Sequence, residues 1–157
     1  RLDLLVNCAG VIRRDEEFDP AVFADVLAIN LTGTMRCCAA AKSKLAQGGG
    51  AIVNIASVLS FHGGARVPAY SASKGGIVQF TRSCAVAWAP DNIQVNAVLP
   101  GWIDTDLTKR ARKEVDGLHD RVLARTPAAR WGEIDDFAGI AVFAAARFHG
   151  AANGSRT

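Results

Sequence analysis

Tyr70 and Lys74 are spaced as Tyr-x-x-x-Lys, a pair of residue types that could transfer a proton. Residues four apart lie on one face of a helix, so this spacing would place the phenol beside the ammonium. An adjacent cation favours the phenolate, and a phenol with an ordinary pKa near ~10 could then accept a proton at lower pH. Alcohol oxidation needs such a base, because loss of hydride leaves a hydroxyl proton to be removed. The pair alone does not identify an enzyme, since ordinary helices contain the same spacing.

Ser57 lies thirteen residues before Tyr70 and directly follows a short apolar segment. In an open parallel sheet, ligands bind beyond the carboxyl ends of the strands. A hydroxyl at that place could hold a substrate oxygen and stabilise developing charge. Asn7 and the Pro100-Gly101 pair follow two other apolar segments in the same way.

The elements that must position these residues alternate between strands and helices. Short apolar segments predict buried strands at Leu2–Asn7, Ala51–Ala56 and Ile93–Val98. Helical composition, opened in the first case by Asp19-Pro20, predicts helices over Asp19–Gln47, Ala69–Trp88, Asp104–Arg125 and Glu133–Arg147, and Ser57–Val67 is predicted to be a loop. This order indicates an α/β fold with a parallel sheet covered on both faces.

Composition excludes several classes of function. Of the 157 residues, 50% are hydrophobic and the net charge is only +3, which gives no electrostatic case for nucleic acid or an anionic membrane. The basic cluster Lys109–Lys113 is interpreted as a solvated helix face. The sequence contains no apolar run that we expect to span a membrane and no secretory signal, which predicts a soluble, intracellular protein. Four cysteines without metal-ligand spacing are expected to be buried free thiols in a reducing cytosol, and no metal site is expected: Cys8, Cys37, Cys38 and Cys84.

The sequence resembles the classical short-chain dehydrogenase/reductase family over nearly its whole length. The resemblance is carried, in family order and at family spacing, by Asn7–Gly10, Asn30–Gly33, Ile52–Ser57, Tyr70–Lys74 and Val95–Gly101. It implies a Rossmann-like, doubly wound parallel sheet. It also implies an oxidoreductase that transfers hydride between NAD or NADP and a secondary alcohol or ketone.

The resemblance implies a role for each catalytic position. Tyr70 would be the catalytic acid/base, and Lys74 would lower its pKa and bind the nicotinamide ribose. Ser57 would orient the substrate. Asn30 would hold a water that links the lysine to solvent, although by its position alone it could be a surface asparagine of a helix.

The same resemblance implies two cofactor-binding segments. Asn7, Ala9 and Gly10 match the element beside the adenosine half of the cofactor, where Cys8 departs from the family's second asparagine. Pro100, Gly101, Ile103 and Thr105 match the segment near the nicotinamide carboxamide. Thr105 could equally be an N-cap, and Asn7 is interpreted as mainly structural.

A narrower resemblance points to sugar acids as substrates. Val11–Arg14, Ser57–Pro68 and Pro127–Gly132 are similar to the 2-deoxy-D-gluconate 3-dehydrogenase and gluconate 5-dehydrogenase branch of the family. A guanidinium suits a carboxylate, so this branch suggests substrate contacts from Arg13, Arg14 or Arg66, with His62 as a further polar contact. Taken singly, each arginine is more typical of a surface residue and His62 of a loop side chain.

By the family plan, residues 1–157 are expected to be a partial domain that holds strands four to six of seven. The glycine-rich strand-turn-helix that binds the pyrophosphate would precede Asn7, and a last strand would follow Asn153-Gly154. The residue that separates NAD from NADP would lie on the same preceding portion. The resemblance also implies a cytoplasmic homodimer or homotetramer that associates through the helices at Pro20–Gln47 and Ala69–Trp88.

Alternatives remain at the level of sequence. The chain could be a truncated, catalytically incompetent fragment, or its substrate could be of the 3-oxoacyl-reductase or glucose dehydrogenase kind. A nucleic-acid-binding or protein-binding module that uses Lys109–Lys113 is a third possibility with little support. The exact substrate, the reaction direction and the pathway are not encoded in these motifs.

Overall fold

A computed structural model describes residues 1–145 and contains a three-stranded parallel sheet. The strands are β1 (Leu4–Asn7), β2 (Gly50–Ile55) and β3 (Ile93–Val98), in the spatial order β1-β2-β3. Asn7 pairs in register with Asn54, and Ile55 with Val98. All three strands therefore end at the same edge of the sheet. The prediction of an α/β fold with parallel strands is confirmed.

The first helical run covers Pro20–Leu45 and contains one widened turn. Helix α1 (Pro20–Leu27) continues through a π-helical turn (Ala28–Thr32) into α2 (Gly33–Leu45). The Asp19 side chain accepts hydrogen bonds from the N–H groups of Ala21 and Val22 in the first turn of α1. Pro20, at the first helical position, has no N–H group that would need a partner. The predicted end at Gln47 is two residues too late.

Helix α3 (Pro68–Trp88) packs on the same sheet and agrees with the prediction to within one residue. The loop before it contains a short 3₁₀ turn, Val58–Ser60. The predicted helix over Asp104–Arg125 is wrong in its middle, because the chain forms α4 (Asp106–Glu114) and α5 (Leu118–Arg125). Gly117, which separates them, has a positive φ of 65° that a continuing helix cannot contain.

The final predicted helix is only partly helical where the structure describes it. A 3₁₀ turn (Ile134–Phe137) precedes α6 (Ala138–Ala145). The predicted end at Arg147 lies outside the described residues.

The main core lies between the sheet and helices α2 and α3. It is formed by Cys38, Ala41, Leu45, Ile52, Cys84, Ile93 and Val95. Cys38 and Cys84 are thus buried as predicted, but Cys8 and Cys37 are exposed. Cys37 neighbours Cys38 on α2, and adjacent helical residues point in directions about 100° apart, so both cannot face the core.

The expectation that no segment is long and apolar enough to span a membrane is also wrong. By length and composition alone, Pro20–Leu45 meets that test, with a mean hydropathy of 1.2. Its Cys38, Ala41 and Leu45 side chains pack against the sheet. We therefore interpret this run as a helix that packs one face on the sheet of the domain.

Candidate active site

The structure brings Ser57, Tyr70 and Lys74 together at the carboxyl edge of the sheet. Ser57 lies two residues beyond Ile55, the last residue of β2. The Lys74 Nζ donates a hydrogen bond to the Ile55 carbonyl oxygen over 2.7 Å. The same Nζ lies 5.5 Å from the centroid of the Tyr70 ring. A phenol, an ammonium and a hydroxyl are thus gathered where substrates of parallel-sheet proteins bind.

Backbone contacts hold the first turns of α3 in this position. Pro68 opens the helix, where its fixed φ and missing N–H carry no cost. The Ser73 hydroxyl donates to the Tyr70 carbonyl oxygen (2.7 Å), and the Ser60 hydroxyl donates to the Lys74 carbonyl oxygen (2.8 Å). The second bond fastens the loop after Ser57 to the helix that carries the phenol.

Burial dominates the titration of both site residues. It raises the pKa of Tyr70 above its ordinary value, while the Ser57 hydroxyl lowers that pKa by hydrogen bonding and the charge of Glu17 raises it. Burial also lowers the pKa of Lys74 to about 8, against a smaller opposing influence of Cys8. Lys74 is therefore mostly protonated at neutral pH. The largest influence on the phenol is its burial rather than the neighbouring ammonium.

Asn30 lies on the π-helical turn and is fully buried, so it is not a surface asparagine. Its Oδ1 accepts from the Val11 N–H (2.8 Å), and its Nδ2 donates to the Val11 carbonyl oxygen (2.9 Å) and to the Ser73 hydroxyl (3.1 Å). The side chain therefore links the loop after β1 to α3. Widened turns of this kind occur frequently at functional sites.

The residues after β1 form a ledge of small, exposed side chains. Cys8, Ala9 and Gly10 are exposed. A Cβ atom added at Gly10 would lie 3.5 Å from both Asn30 Oδ1 and Lys74 Nζ, so this ledge borders the site. Asn7 instead points inward, where its Nδ2 donates to Asn54 Oδ1 over 2.8 Å. This contact agrees with its interpretation as a structural residue.

The residues after β3 border the site on the side opposite to the residues after β1. The Val58 N–H donates to the Pro100 carbonyl oxygen over 3.1 Å. A Cβ at Gly101 would meet open space. Ile103 forms an isolated parallel bridge with Gly132. Thr105 is the N-cap of α4, the alternative that the sequence left open.

Two of the three arginines suggested as substrate ligands, Arg14 and Arg66, are engaged with protein carboxylates. Arg66 forms a two-pronged ion pair with Asp15, and its guanidinium lowers the pKa of that carboxyl. The Arg14 guanidinium lies 2.6 Å from Glu114 of α4. Arg13 is exposed. The structure thus leaves Arg66 and Arg14 less available than the sequence suggested.

A cleft of about 440 Å³ opens at Val58, with His62 on its wall; Ser57, Tyr70 and Lys74 are not among its lining residues. The segments after Ser57, after β3 and after α5 line it through Val58, His62, Gly101, Trp102, Ile103, Arg125, Thr126, Pro127, Ala128, Arg130, Gly132 and Asp136. Asp136 pairs with Arg130, which lowers the pKa of Asp136 to about 2. Arg125 has no such carboxylate partner among residues 1–145.

Sequence analysis missed two buried polar residues near the site. Glu17 is 0% exposed and accepts hydrogen bonds from the backbone N–H groups of Arg13 and Tyr70. Asn54 is also fully buried and joins Asn7 to the Thr81 hydroxyl. A polar residue inside an apolar strand was a usable signal for Asn54. Glu17 gave none, because it ends a charged run that is typical of a surface.

Groups of three or more His, Cys, Asp or Glu side chains that could hold a metal ion do not occur in the part of the chain that the structure describes.

Comparisons with known proteins agree with this geometry. The family described as enoyl-(acyl carrier protein) reductase matches residues 1–157. The 2-dehydro-3-deoxy-D-gluconate 5-dehydrogenase of Bacillus subtilis (strain 168) is 44% identical over 98% of this chain and 61% of its own length. The enzyme of the same name from Escherichia coli (strain K12) is 45% identical, over 98% of this chain and 62% of its own length. The chain therefore spans about three fifths of the length of these curated relatives.

A solved structure shows the same arrangement of strands and helices. The gluconate 5-dehydrogenase from Burkholderia cenocepacia J2315, in complex with NADP and tartrate, is 36% identical and superimposes with a TM-score of 0.84. The match covers 91% of this chain and 57% of that one.

Proposed function

Because the chain belongs to the short-chain dehydrogenase/reductase family, we propose that it forms the catalytic part of an oxidoreductase. The enzyme transfers hydride between NAD or NADP and a secondary alcohol or ketone. The observation that carries the proposal is the convergence of Ser57, Tyr70 and Lys74, with Nζ of the lysine 5.5 Å from the phenol ring.

The site residues bind the substrate oxygen and transfer its proton. The Ser57 hydroxyl hydrogen-bonds the substrate oxygen, and the Tyr70 Oη takes the hydroxyl proton as the alcohol becomes a ketone. In the reductive direction, the same Oη returns the proton. Lys74 keeps a positive charge beside the phenol at neutral pH, since its pKa is about 8. Asn30 holds the loop after β1 against α3.

The edge of the sheet fits a nicotinamide cofactor. Gly10 lies beside Lys74, Ala9 next to it is small and exposed, and Gly101 faces open space on the other side. Asn7, Ala9, Gly10, Pro100, Gly101, Ile103 and Thr105, together with Tyr70 and Lys74, would hold it. When bound, the cofactor supplies the carbon that accepts or donates hydride. NADP in the Burkholderia structure supports this assignment.

We infer a sugar acid or a related polyol as substrate. The support is the identity of 44% and 45% to two 2-dehydro-3-deoxy-D-gluconate 5-dehydrogenases. The carboxylate would bind in the cleft that Val58 and His62 line. His62 lines this cleft and is exposed, and Arg13 is exposed in the loop after β1, whereas Arg66 would first have to release Asp15.

A substrate panel tests this function on the protein expressed from its complete reading frame. Gluconate, 5-keto-D-gluconate, 2-dehydro-3-deoxy-D-gluconate and an acyl thioester are each assayed with NAD(H) and NADP(H) by nicotinamide absorbance. We expect turnover of a sugar acid, and a fall of at least about 100-fold for Tyr70→Phe. Undiminished turnover by Tyr70→Phe would overturn the catalytic assignment. Preference for the thioester would overturn the substrate class.

We further propose that residues 1–157 are part of a larger Rossmann domain, of which they supply strands four to six. The support is the coverage of about three fifths of the relatives' length. Sequencing the coding region on both sides tests this, because an in-frame glycine-rich strand-turn-helix before Arg1 is expected. The absence of such a segment would favour the alternative that the chain is a truncated, catalytically incompetent fragment.

We propose a cytoplasmic homodimer or homotetramer that associates through α1–α2 and α3. Exposed apolar side chains on these helices support it, above all Val86, which is 80% exposed. Light scattering coupled to gel filtration measures the assembly, and a monomer at all concentrations would contradict it. The same preparation, with added oligonucleotide, checks that no nucleic acid binds.

A further inference from the structure

Helix α3 begins without a capping side chain of its own. Its N-cap residue is Val67, whose side chain has no hydrogen-bonding atom. The first N–H groups of a helix have no partner within the helix and need one from elsewhere. The Tyr70 N–H finds it in Oε2 of Glu17, at 2.7 Å. A carboxylate 53 residues earlier in the chain thus serves as the cap of the helix that carries the proposed base.

Glu17 holds its own loop with the other oxygen. Oε1 accepts a hydrogen bond from the Arg13 N–H over 2.8 Å. The residue is 0% exposed, and no lysine or arginine forms an ion pair with it among residues 1–145. Burying a carboxylate without a cation is costly unless hydrogen bonds and a helix N-terminus stabilise the charge. Both conditions are met at Glu17, which accepts two backbone hydrogen bonds at the N-terminus of α3.

A second, exposed set of contacts links the loop after β1 to the segment before α3. The Asp15 N–H donates to the Arg66 carbonyl oxygen over 2.9 Å, next to the ion pair of their side chains. Exposed pairs contribute little to rigidity or stability. Of these two connections, only the buried one, at Glu17, directly contacts the backbone of Tyr70.

We propose that Glu17 is a positioning residue, which fixes the first turn of α3 and so holds the Tyr70 phenol in place relative to Ser57. The inference rests on the proposed function. The groups that act on the phenol are Ser57, from the segment after β2, Glu17, from the loop after β1, and Lys74, one turn along α3. The negative charge of Glu17 raises the pKa of Tyr70, which gives the proposal a readout beyond stability.

Two substitutions separate the charge of Glu17 from its geometry. Glu17→Gln keeps the size and removes the charge, so the acid limb of the kcat/KM profile for alcohol oxidation moves to lower pH. It also loses one acceptor, and kcat falls about tenfold, or about 1.4 kcal/mol, with KM for the cofactor unchanged. Glu17→Asp keeps the charge but shortens the side chain, so kcat falls while the limb stays at the wild-type pH. Glu16→Gln, at the exposed neighbour, matches the wild type.

A folded Glu17→Gln with wild-type kcat and an unmoved limb would overturn the proposal. A lowered melting temperature without either change would assign Glu17 a structural role alone, and it would overturn the proposal equally. If Glu17→Gln does not fold, Glu17→Asp decides the test. A lowered kcat with the acid limb at the wild-type pH supports the proposal. A shift of the acid limb in Glu17→Asp, which retains the charge, would overturn it.

A spectroscopic titration keeps this test independent of the proposed activity. Residues 1–157 contain a single tyrosine, so the difference in tyrosinate absorbance between wild type and Tyr70→Phe reports the phenol of Tyr70. We expect its midpoint to move to lower pH in Glu17→Gln. If no substrate is turned over, the proposed function fails while this titration still tests Glu17. If turnover is present and the midpoint does not move, Glu17 alone fails.

Discussion

Lys74→Met should change how the stability of the cofactor-free protein depends on pH. Burial lowers the pKa of Lys74 from 10.5 to about 8. Between these two values, the unfolded chain keeps the proton that the folded protein has released. Stability rises with pH wherever the unfolded state binds more protons. The free energy of unfolding therefore increases as the pH rises above about 8, and removal of the ammonium should abolish this increase.

The size of the effect follows from the pKa difference. One pKa unit corresponds to about 1.36 kcal/mol, so the cost of the buried charge below pH 8 is about 3 kcal/mol. The visible rise is smaller, because burial raises the pKa of Cys38 from 9.0 to about 11. Above pH 9 the Cys38 thiol loses its proton in the unfolded chain but keeps it in the folded protein. The free energy of unfolding therefore falls as the pH rises further. The net rise should be about 1 kcal/mol, between pH 8 and pH 9.

Urea unfolding at closely spaced pH values, followed by circular dichroism, measures the difference. Lys74→Met should be flat where the wild type rises, and it should be the more stable protein below pH 8 by up to about 3 kcal/mol, less the loss of the hydrogen bond to Ile55. Lys44→Met removes an exposed ammonium and is the control. Wild-type and Lys74→Met curves that run parallel from pH 7 to pH 9 would refute the argument.

Two other substitutions should destabilise the fold through the backbone. Asn30→Ala leaves both polar backbone groups of Val11 without their side-chain partner, and the free energy of unfolding in urea should fall by about 2 kcal/mol or more; a loss below about 0.5 kcal/mol would contradict this. Gly49→Ala places a Cβ at φ +70°, 2.8 Å from the Asn92 carbonyl oxygen, and should lower the melting temperature by several degrees. Gly48→Ala, which meets nothing within 4 Å, is the matched control, and an equal effect of both would count against steric strain.

Most of the fold could be predicted because its strands coincide with short apolar segments of the sequence. Ile93–Val98 has the predicted bounds, and the other two strands differ by one or two residues. The break at Gly117 was also encoded, in the Asp116-Gly117 pair. The charged, helix-favouring residues on both sides outweighed it in the prediction. The backbone leaves the helical conformation at Val115, which is extended, and at Gly117, which is left-handed, regardless of the preference of their neighbours.

The π-helical turn could not be predicted, because its cause is distant in sequence. Ala28–Thr32 has ordinary helical composition. Asn30 in its centre is bonded to the backbone of Val11, 19 residues earlier, and to Ser73, 43 residues later. A pattern read along one helix contains no information about such partners.

The residue types of the site are encoded locally, whereas their geometry is set by side chains that bond to distant backbone. Lys74 is held by the carbonyl of Ile55, Asn30 by both polar groups of Val11, and Glu17 by the N–H of Tyr70. Each of these bonds satisfies a polar backbone group in a partly buried place, where water is less available to it. A charged or amide side chain near the edge of this sheet can therefore control the site without contacting the substrate. Kinetic effects of such substitutions should appear in kcat and in the pH profile before they appear in KM.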